Sequence, residues 1–579
     1  MLHHTLEQRL HQAVVARLPE VALGSIFVRP CPDPRFGDYQ TNALMALAKE
    51  RKLNPRQLAT EIRAALQVDD LCESVEVAGA GFLNFRLRPQ AVAEILRAAL
   101  RNEHLFYRTS PQPRTVVVDF SSPNVAKPMH VGHIRSTVLG DCLARTLRLL
   151  GHNVITDNHL GDWGTQFGKL LVGWKDLLDK DALAQDPIAE MERLYKTVHA
   201  LSENDPALLE RAKSELVKLQ NGDPENLGIW RQMIALSRAY FDAIYSRLGV
   251  KFDHTLGESF YNPHLKDIVQ ELLNRGIAQE SEGAVVVSFG DQADLKDSVA
   301  MIQKSDGASN YTTTDLATLA YRMGTWHPND IVYVTDGRQQ LHFRQLFAVF
   351  RRWHPDAQVR LAHVWFGTIL GPDGRPFKTK SGDTIKLADI LDEAEERVMR
   401  EVAERNPDLD EPRRQEIARI VGLGAVKYSD LLPNRQSDYV FDWDKMLALN
   451  GNTAPYLLYA YTRTCGVFRK LSTEGESVQG WREGALDSLA LGAAEELRLA
   501  KHMLNFGIVL EAVAEEYRPN YLCNYLFELA GHFTSFYENC PVLKAAEPER
   551  SSRLALCELA GRVLKQGLEV LGIETTERM

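Results

Sequence analysis

The sequence predicts an α/β fold: a doubly wound parallel sheet with helical insertions, a small α/β domain before it and an all-α bundle after it. Three observations predict this. TVVVDF, residues 115–120, is a short and nearly continuous apolar run, the pattern of a strand covered on both faces. IRSTVLGDCLARTLRLLG then spaces Ile134, Val138, Cys142, Leu143, Leu147 and Leu150 helically, with Gly151 as a stop, and NVITDN supplies the next strand. Strand, loop, helix and strand in that order open a Rossmann-like sheet. Finally, from about residue 415 the pattern is helical almost to the end.

Taken in order, residues 1–110 form the small first domain. Leu6, Leu10, Val14 and Leu18 make one stripe of an opening helix; the turn-rich PCPDPRFGDYQTN, a helical run from Ala43 and the strand-like GAGFLNFRL follow. RTSPQPR is a polar, proline-bearing linker. The sheet domain spans 111–370, interrupted at about 175–280 by charged, helix-rich sequence such as ALLERAKSELVKLQ. Sheet-like runs return at AVVVSF, DIVYVTDG and AHVWFG. A loop and connecting region follows at 371–415, and the helical bundle occupies 416–579.

Composition narrows the class. Hydrophobic residues at 45% and charged residues at 25% suit a soluble globular protein, and no apolar run is long enough to span a membrane. The expectation is a cytoplasmic protein with no membrane partner. The 7 cysteines are scattered without a C-x-x-C pair, so neither a zinc site nor a disulfide framework is expected. A net charge of −10 argues against a nucleic-acid partner, but a large acidic protein can still carry one basic face.

The chemistry begins in SSPNVAKPMHVGHIRS, residues 121–136. His130 and His133 flank Gly132 where a buried strand should pass into a helix, the place where open parallel sheets hold ligands. Imidazole N–H groups there can stabilise charge developing on a phosphate, and Lys127 adds a positive charge on the same loop. A plain loop or capping role is the competing reading of an isolated H-x-x-H pair. A metal site using His130, His133 and His159 lacks a supporting carboxylate or cysteine, so no metal site is expected.

H-x-G-H after a strand, with GRPFKTKSGDT far downstream, resembles the HIGH and KMSKS signatures of class I aminoacyl-tRNA synthetases. The downstream motif reads Phe377, Lys378, Thr379, Lys380, Ser381, so the first lysine of KMSKS is missing. Arginyl-tRNA synthetases commonly lack it and carry a lysine just before HIGH, where Lys127 stands. DFSSPNVAKPMHVGHIRST, NHLGDWGTQFG, YTTTDLA, YVTDGRQQLHF, LGPDGRPFKTKSGDTIKL and GNTAPYLLYAYTR are similar to that family nearly throughout. The resemblance, to the bacterial type, covers almost the full length.

It implies an arginine–tRNA ligase with ATP and L-arginine as substrates, Mg²⁺ accompanying the ATP, tRNA(Arg) as partner and a monomeric state. The implied ATP contacts are Lys127, His130, Gly132, His133, His342, Lys378 and Lys380, with Lys127, His130, His133 and Lys380 catalytic. The implied arginine contacts are Asp119, Tyr311, Asp315 and Gln339 around the guanidinium, with Asn124 and His159 at the amino-acid end. Carboxylates suit a planar fork of donors. Each residue has a plainer reading: Asp315 as a first-turn acid, Tyr311 as core, Asp119 paired with an internal arginine. Tyr456, Tyr459 and Tyr461 beside Arg463, Arg469 and Lys470 suit unstacked bases, although tyrosines at helical spacing are more often core. Two rivals stand: another H-x-G-H nucleotidyltransferase, and a non-catalytic tRNA-binding paralogue.

Overall fold

A computed structural model describes residues 1–377, 384–473 and 478–579. The chain divides into two compact units, Ser110–Leu447 with Leu571–Ile573, and Met1–Thr109 with Ala448–Val570 and Glu574–Met579.

The first of these is built on the predicted parallel sheet. Its strands are β1 (Thr115–Asp119), β2 (Asn153–Asp157), β3 (Asp330–Tyr333) and β4 (Arg360–His363), in the order β4-β3-β1-β2. Val116, Val117 and Val118 are buried, as an apolar run covered on both faces should be. Helix α1 (Val131–Leu149) links β1 to β2, and α2 (Tyr311–Trp326) and α3 (Gln340–Trp353) flank β3. Leu316, Leu319, Phe343, Leu346 and Phe350 pack with Val117 and Ile331 into one core. The register aligns Asp119 with Asp157 and Tyr333, and Tyr333 with His363, so four side chains line up along the carboxyl edge of the sheet.

Three predicted features are corrected. AVVVSF does not join this sheet; Ala284–Ser288 lies in a separate antiparallel sheet with Gln279–Ser281 and Val299–Gln303. A short apolar run with antiparallel neighbours looks the same in sequence as a central strand. The insertion begins earlier than 175, at helix Gln166–Leu177, and its helices end at Leu248. Asp186, Asp205 and Asp223 each precede a proline and cap its helix by accepting backbone N–H bonds. Proline at the first helical position loses no bond, and each aspartate cap is worth about 1 kcal/mol.

The third correction concerns residue 416, expected to start the C-terminal bundle. Helix Glu411–Leu431 instead belongs to the sheet unit, packed on helix Leu387–Arg405. A Cβ on Gly422 would lie 2.9 Å from the Ala394 carbonyl, so the two backbones meet where glycine stands. Helicity shows from sequence, but the partner helix does not.

The other unit joins both ends of the chain. Strands Arg29–Pro30, Tyr39–Thr41, Phe82–Leu87 and Cys72–Ala78 form one antiparallel sheet. Helices Ala454–Thr473, Ala494–Met503, Phe506–Glu516, Asn520–Asn539 and Glu549–Val570 build the predicted α bundle. Asp38 accepts from Lys501 at 2.8 Å and Tyr39 Oη donates to Asn505 at 2.8 Å, so the first and last segments pack as one body.

Candidate active site

His130 is the N-cap of α1. Its Nδ1 accepts the Gly132 N–H at 3.0 Å, while the His130 N–H donates to His133 Nδ1 at 3.1 Å. Two backbone donors left free by the helix start are thereby satisfied reciprocally. The consequence is chemical. With Nδ1 acting as acceptor on both rings, each neutral imidazole carries its proton on Nε2. The rings lie 4.0 Å apart. Burial, then Arg338 and Lys127, lowers the pKa of His130; burial and His130 bring His133 down to about 3. Both are therefore neutral N–H donors at physiological pH. The capping reading and the donor reading are thus compatible: the cap fixes the tautomer.

Gly132 serves the same arrangement. A Cβ there would lie 2.9 Å from His130 Cε1, so glycine makes room for the capping ring. Lys127 lies on the same loop, its Nζ 5.1 Å from the Tyr195 ring centroid. Lys378 and Lys380 lie outside the described residues. The segment that follows them returns to the histidines: Val131 N–H donates to Ile385 at 2.9 Å and Leu387 N–H to Met129 at 2.8 Å.

The loop between β1 and α1 is strained. Ser121, Ser122 and Ala126 all have positive φ, a costly conformation for residues with a Cβ. Buried side chains hold each in place. Ser136 Oγ accepts the Ser121 N–H at 2.8 Å, Asn158 Oδ1 the Ser122 N–H at 3.1 Å, and Ser237 Oγ the Ala126 N–H at 3.0 Å. These supports went unnoticed in the sequence, where serines 15 and 111 positions away carry no local signal.

The expected guanidinium pocket is only partly assembled. Asp119 is already paired: Arg322 Nη2 donates to its Oδ2 at 2.6 Å and to Asp157 Oδ2 at 2.8 Å. The internal-arginine reading of Asp119 is therefore the one found, and Arg322 is fully buried. Ser122 Oγ donates to the other Asp119 oxygen at 3.2 Å. Asp315 has a different partner, His342, at 2.6 Å, and the Tyr311 ring stands edge-on 5.1 Å from that imidazole. His342, expected at the nucleotide, thus groups with Tyr311 and Asp315. Tyr311 is 63% exposed, which excludes the core reading. Gln339 is exposed on the turn Gly337–Gln339 just before α3.

Asn124 is exposed and bridges to Gly161; a Cβ on Gly161 would lie 2.1 Å from Asn124 Oδ1. His159 packs on Tyr261 with centroids 5.5 Å apart, and among the described residues its buried Nδ1 has no hydrogen-bond partner. Sequence reasoning missed Glu258 beside this group. Burial first, then Asp315 and Asp162, raises its pKa to about 8. Perturbed carboxyl groups beside a cleft are a functional signal. LGESF carries no pattern that would have singled it out.

Of the tyrosines, Tyr461 is buried as the core reading expects, and Tyr459 is exposed with Arg463 5.8 Å from its ring. Among the described residues, no helix is long and apolar enough to cross a membrane.

Comparison with known proteins places this geometry. Residues 95–443 match the family model for tRNA synthetases class I (R), catalytic domain; 457–579 match the DALR anticodon binding domain, and 1–87 the arginyl tRNA synthetase N terminal domain. The chain is 46% identical to the arginine–tRNA ligase of Citrobacter koseri over 562 residues, 95% of each chain. It is 45% identical to that of Escherichia coli (strain K12) over 560 residues, again 95% of each. The crystal structure of arginyl-tRNA synthetase from Plasmodium falciparum aligns with a TM-score of 0.84 at 28% identity, covering 100% of this chain and 99% of that one. The Thermus thermophilus arginyl-tRNA synthetase gives 0.83 at 26% identity, covering 100% of both. With the H-x-G-H helix start, the parallel sheet and these matches over its whole length, the chain belongs to the arginyl-tRNA synthetase family of class I.

Proposed function

We propose that this chain performs the arginine–tRNA ligase reaction of its family by positioning and neutral hydrogen-bond donation. The arginine carboxylate attacks the α-phosphorus of ATP and pyrophosphate leaves. A ribose hydroxyl of the terminal tRNA adenosine then attacks the acyl carbon, and AMP leaves. In-line phosphoryl chemistry needs little covalent help, so the groups that hold and neutralise the phosphates carry the catalysis.

The observation that carries this reading is the reciprocal cap at His130 and His133, which leaves the proton of each neutral ring on Nε2 at the start of α1. They act on the triphosphate, with Gly132 leaving space for the capping ring. Lys127 adds charge, and Lys378 and Lys380 complete the phosphate contacts from the loop joined beside Met129–Val131. Asp315, Tyr311 and His342 receive the guanidinium, with Gln339 at the rim. Asp119, through its Ser122-facing oxygen, Asn124 and His159 serve the amino-acid end. Mg²⁺ enters with the ATP, held by its phosphates.

Residues 1–110 engage the outer corner of the tRNA, the C-terminal helices from Ala454 onward carry the anticodon-reading surface around Tyr459 and Arg463, and the connecting region bears Lys378 and Lys380. By resemblance, bound tRNA is required before the adenylate forms, the protein acts as a monomer, and it works in the cytoplasm. Charging of tRNA(Arg) with labelled arginine tests the reading, with lysine as control. Arginylation without lysylation is expected; a folded protein that binds tRNA(Arg) but charges it with neither amino acid would overturn it.

A further inference from the structure

Away from the active site, helix Leu2–Arg17 and helix Phe506–Glu516 meet within one compact unit. His3 Nε2 lies 3.2 Å from Glu511 Oε2, and His4 Nε2 lies 2.8 Å from Glu511 Oε1. Neighbouring histidines on a helix normally diverge. These two instead bring their rings to 3.9 Å and aim at one carboxylate. The three donor atoms all fall within 4.8 Å of one another.

We propose that His3, His4 and Glu511 form a binding site for a divalent transition metal of the zinc type, stapling the first helix of the chain to the C-terminal bundle. Tetrahedral coordination at about 2.1 Å separates donors by roughly 3.4 Å, so small side-chain shifts bring all three into range. Two imidazoles and one carboxylate suit zinc, cobalt or nickel and disfavour calcium or magnesium, which want oxygen ligands.

The surroundings support a ligand set. His4 Nδ1 lies 3.4 Å from Glu7 Oε2, and Glu7 Oε1 accepts the Val28 N–H at 2.9 Å. An imidazole oriented through its second nitrogen by an anchored carboxylate is the usual support of a metal-bound histidine. His3 is 3% exposed, and its Nδ1 is buried without a hydrogen-bond partner among the described residues. A cleft of about 630 Å³ lined by His4, Glu7, His11 and Arg108 opens beside the group, leaving room for water as a further ligand. Glu511 is 508 positions from His3, which is why the sequence alone gives no sign of the site.

The test uses the full chain, stripped with a chelator and titrated with Co²⁺ while its visible absorption is followed, and with Zn²⁺ by calorimetry. One saturable equivalent is expected, with a zinc-dependent rise in the unfolding midpoint. Both should weaken at least tenfold in Glu511→Gln and in His4→Gln and persist in His11→Gln, whose ring faces the Ile26 carbonyl instead. Retained tRNA charging in the variants shows that they are folded. Absence of a saturable cobalt band, or binding unchanged in both Glu511→Gln and His4→Gln, would overturn the proposal.

Discussion

Replacing Arg135 with methionine separates what a buried charge does for stability from what it does for catalysis. Arg135 lies on α1 two residues beyond His133. Its side chain is 1% exposed, and that of Asp430, 3.0 Å away, is fully buried. Its Nη1 donates to the Gly367 carbonyl at 2.8 Å and the Ser437 carbonyl at 3.2 Å. One guanidinium thus ties the histidine-bearing helix to the paired strands Ile369–Leu370 and Tyr439–Val440, and the chain runs from the first of these toward Lys378 and Lys380. Arg135→Met leaves Asp430 in an interior where burial already raises its pKa. Removing one partner of a buried ion pair costs about 3–5 kcal/mol. Adding Asp430→Leu removes the stranded charge. The residual loss is then about 1–2 kcal/mol, from two carbonyls each deprived of a donor. Denaturant unfolding followed by intrinsic fluorescence reads the stability, and arginine-dependent ATP–pyrophosphate exchange reads the chemistry. The double variant should regain most of the stability yet remain at least tenfold slow in exchange, because the arm leading to the lysine loop has lost its tie to α1. Recovery of stability and exchange together would show that Arg135 supports the fold alone.

Other predictions address the donors and the pocket. Substituting His133→Gln or His130→Gln should lower single-turnover adenylate formation about 10²–10³-fold, the usual effect of losing one preorganised donor, with a smaller change in KM for ATP. Asp315→Asn should raise KM for arginine by about 10²-fold, corresponding to loss of a charge-assisted contact. Asp119→Asn should chiefly lower the unfolding midpoint, since it strips a partner from buried Arg322; the reverse pattern in steady-state kinetics and unfolding would refute the assignment. Glu258, with a folded pKa raised to about 8 from 4.5, is neutral at pH 7. Its favourable effect on stability is complete below about 4.5 and lost as pH rises through 8, so Glu258→Gln should be the more stable protein above pH 8. KM for arginine should fall between pH 7 and 8.5 in the parent protein as the carboxylate appears, and stay flat in Glu258→Gln.

What the sequence disclosed follows from the range of each signal. TVVVDF and the α1 spacing are local patterns, and they gave the strand, the helix and the junction that His130 and His133 occupy. The AVVVSF run misled because local hydrophobicity does not encode which sheet a strand joins. Asp119 shows a different limit. A carboxylate at the end of a central strand was visible, but Arg322, 203 positions away, was not. His342 was expected at the nucleotide, and its contact with Asp315 was not visible because it depends on how α2 and α3 pack. The side chains that pin Ser121, Ser122 and Ala126 are Ser136 on α1, Asn158 just after β2 and Ser237 on a helix far along the chain, and only the fold brings them together.

Arginine-dependent ATP–pyrophosphate exchange, measured with and without tRNA(Arg) and with lysine as the competing substrate, tests arginine activation at the His130–His133 site. Exchange with arginine when tRNA is present, none with lysine, and loss of the arginine signal in His133→Gln are expected. Equal exchange with lysine, or full exchange in His133→Gln, would contradict it.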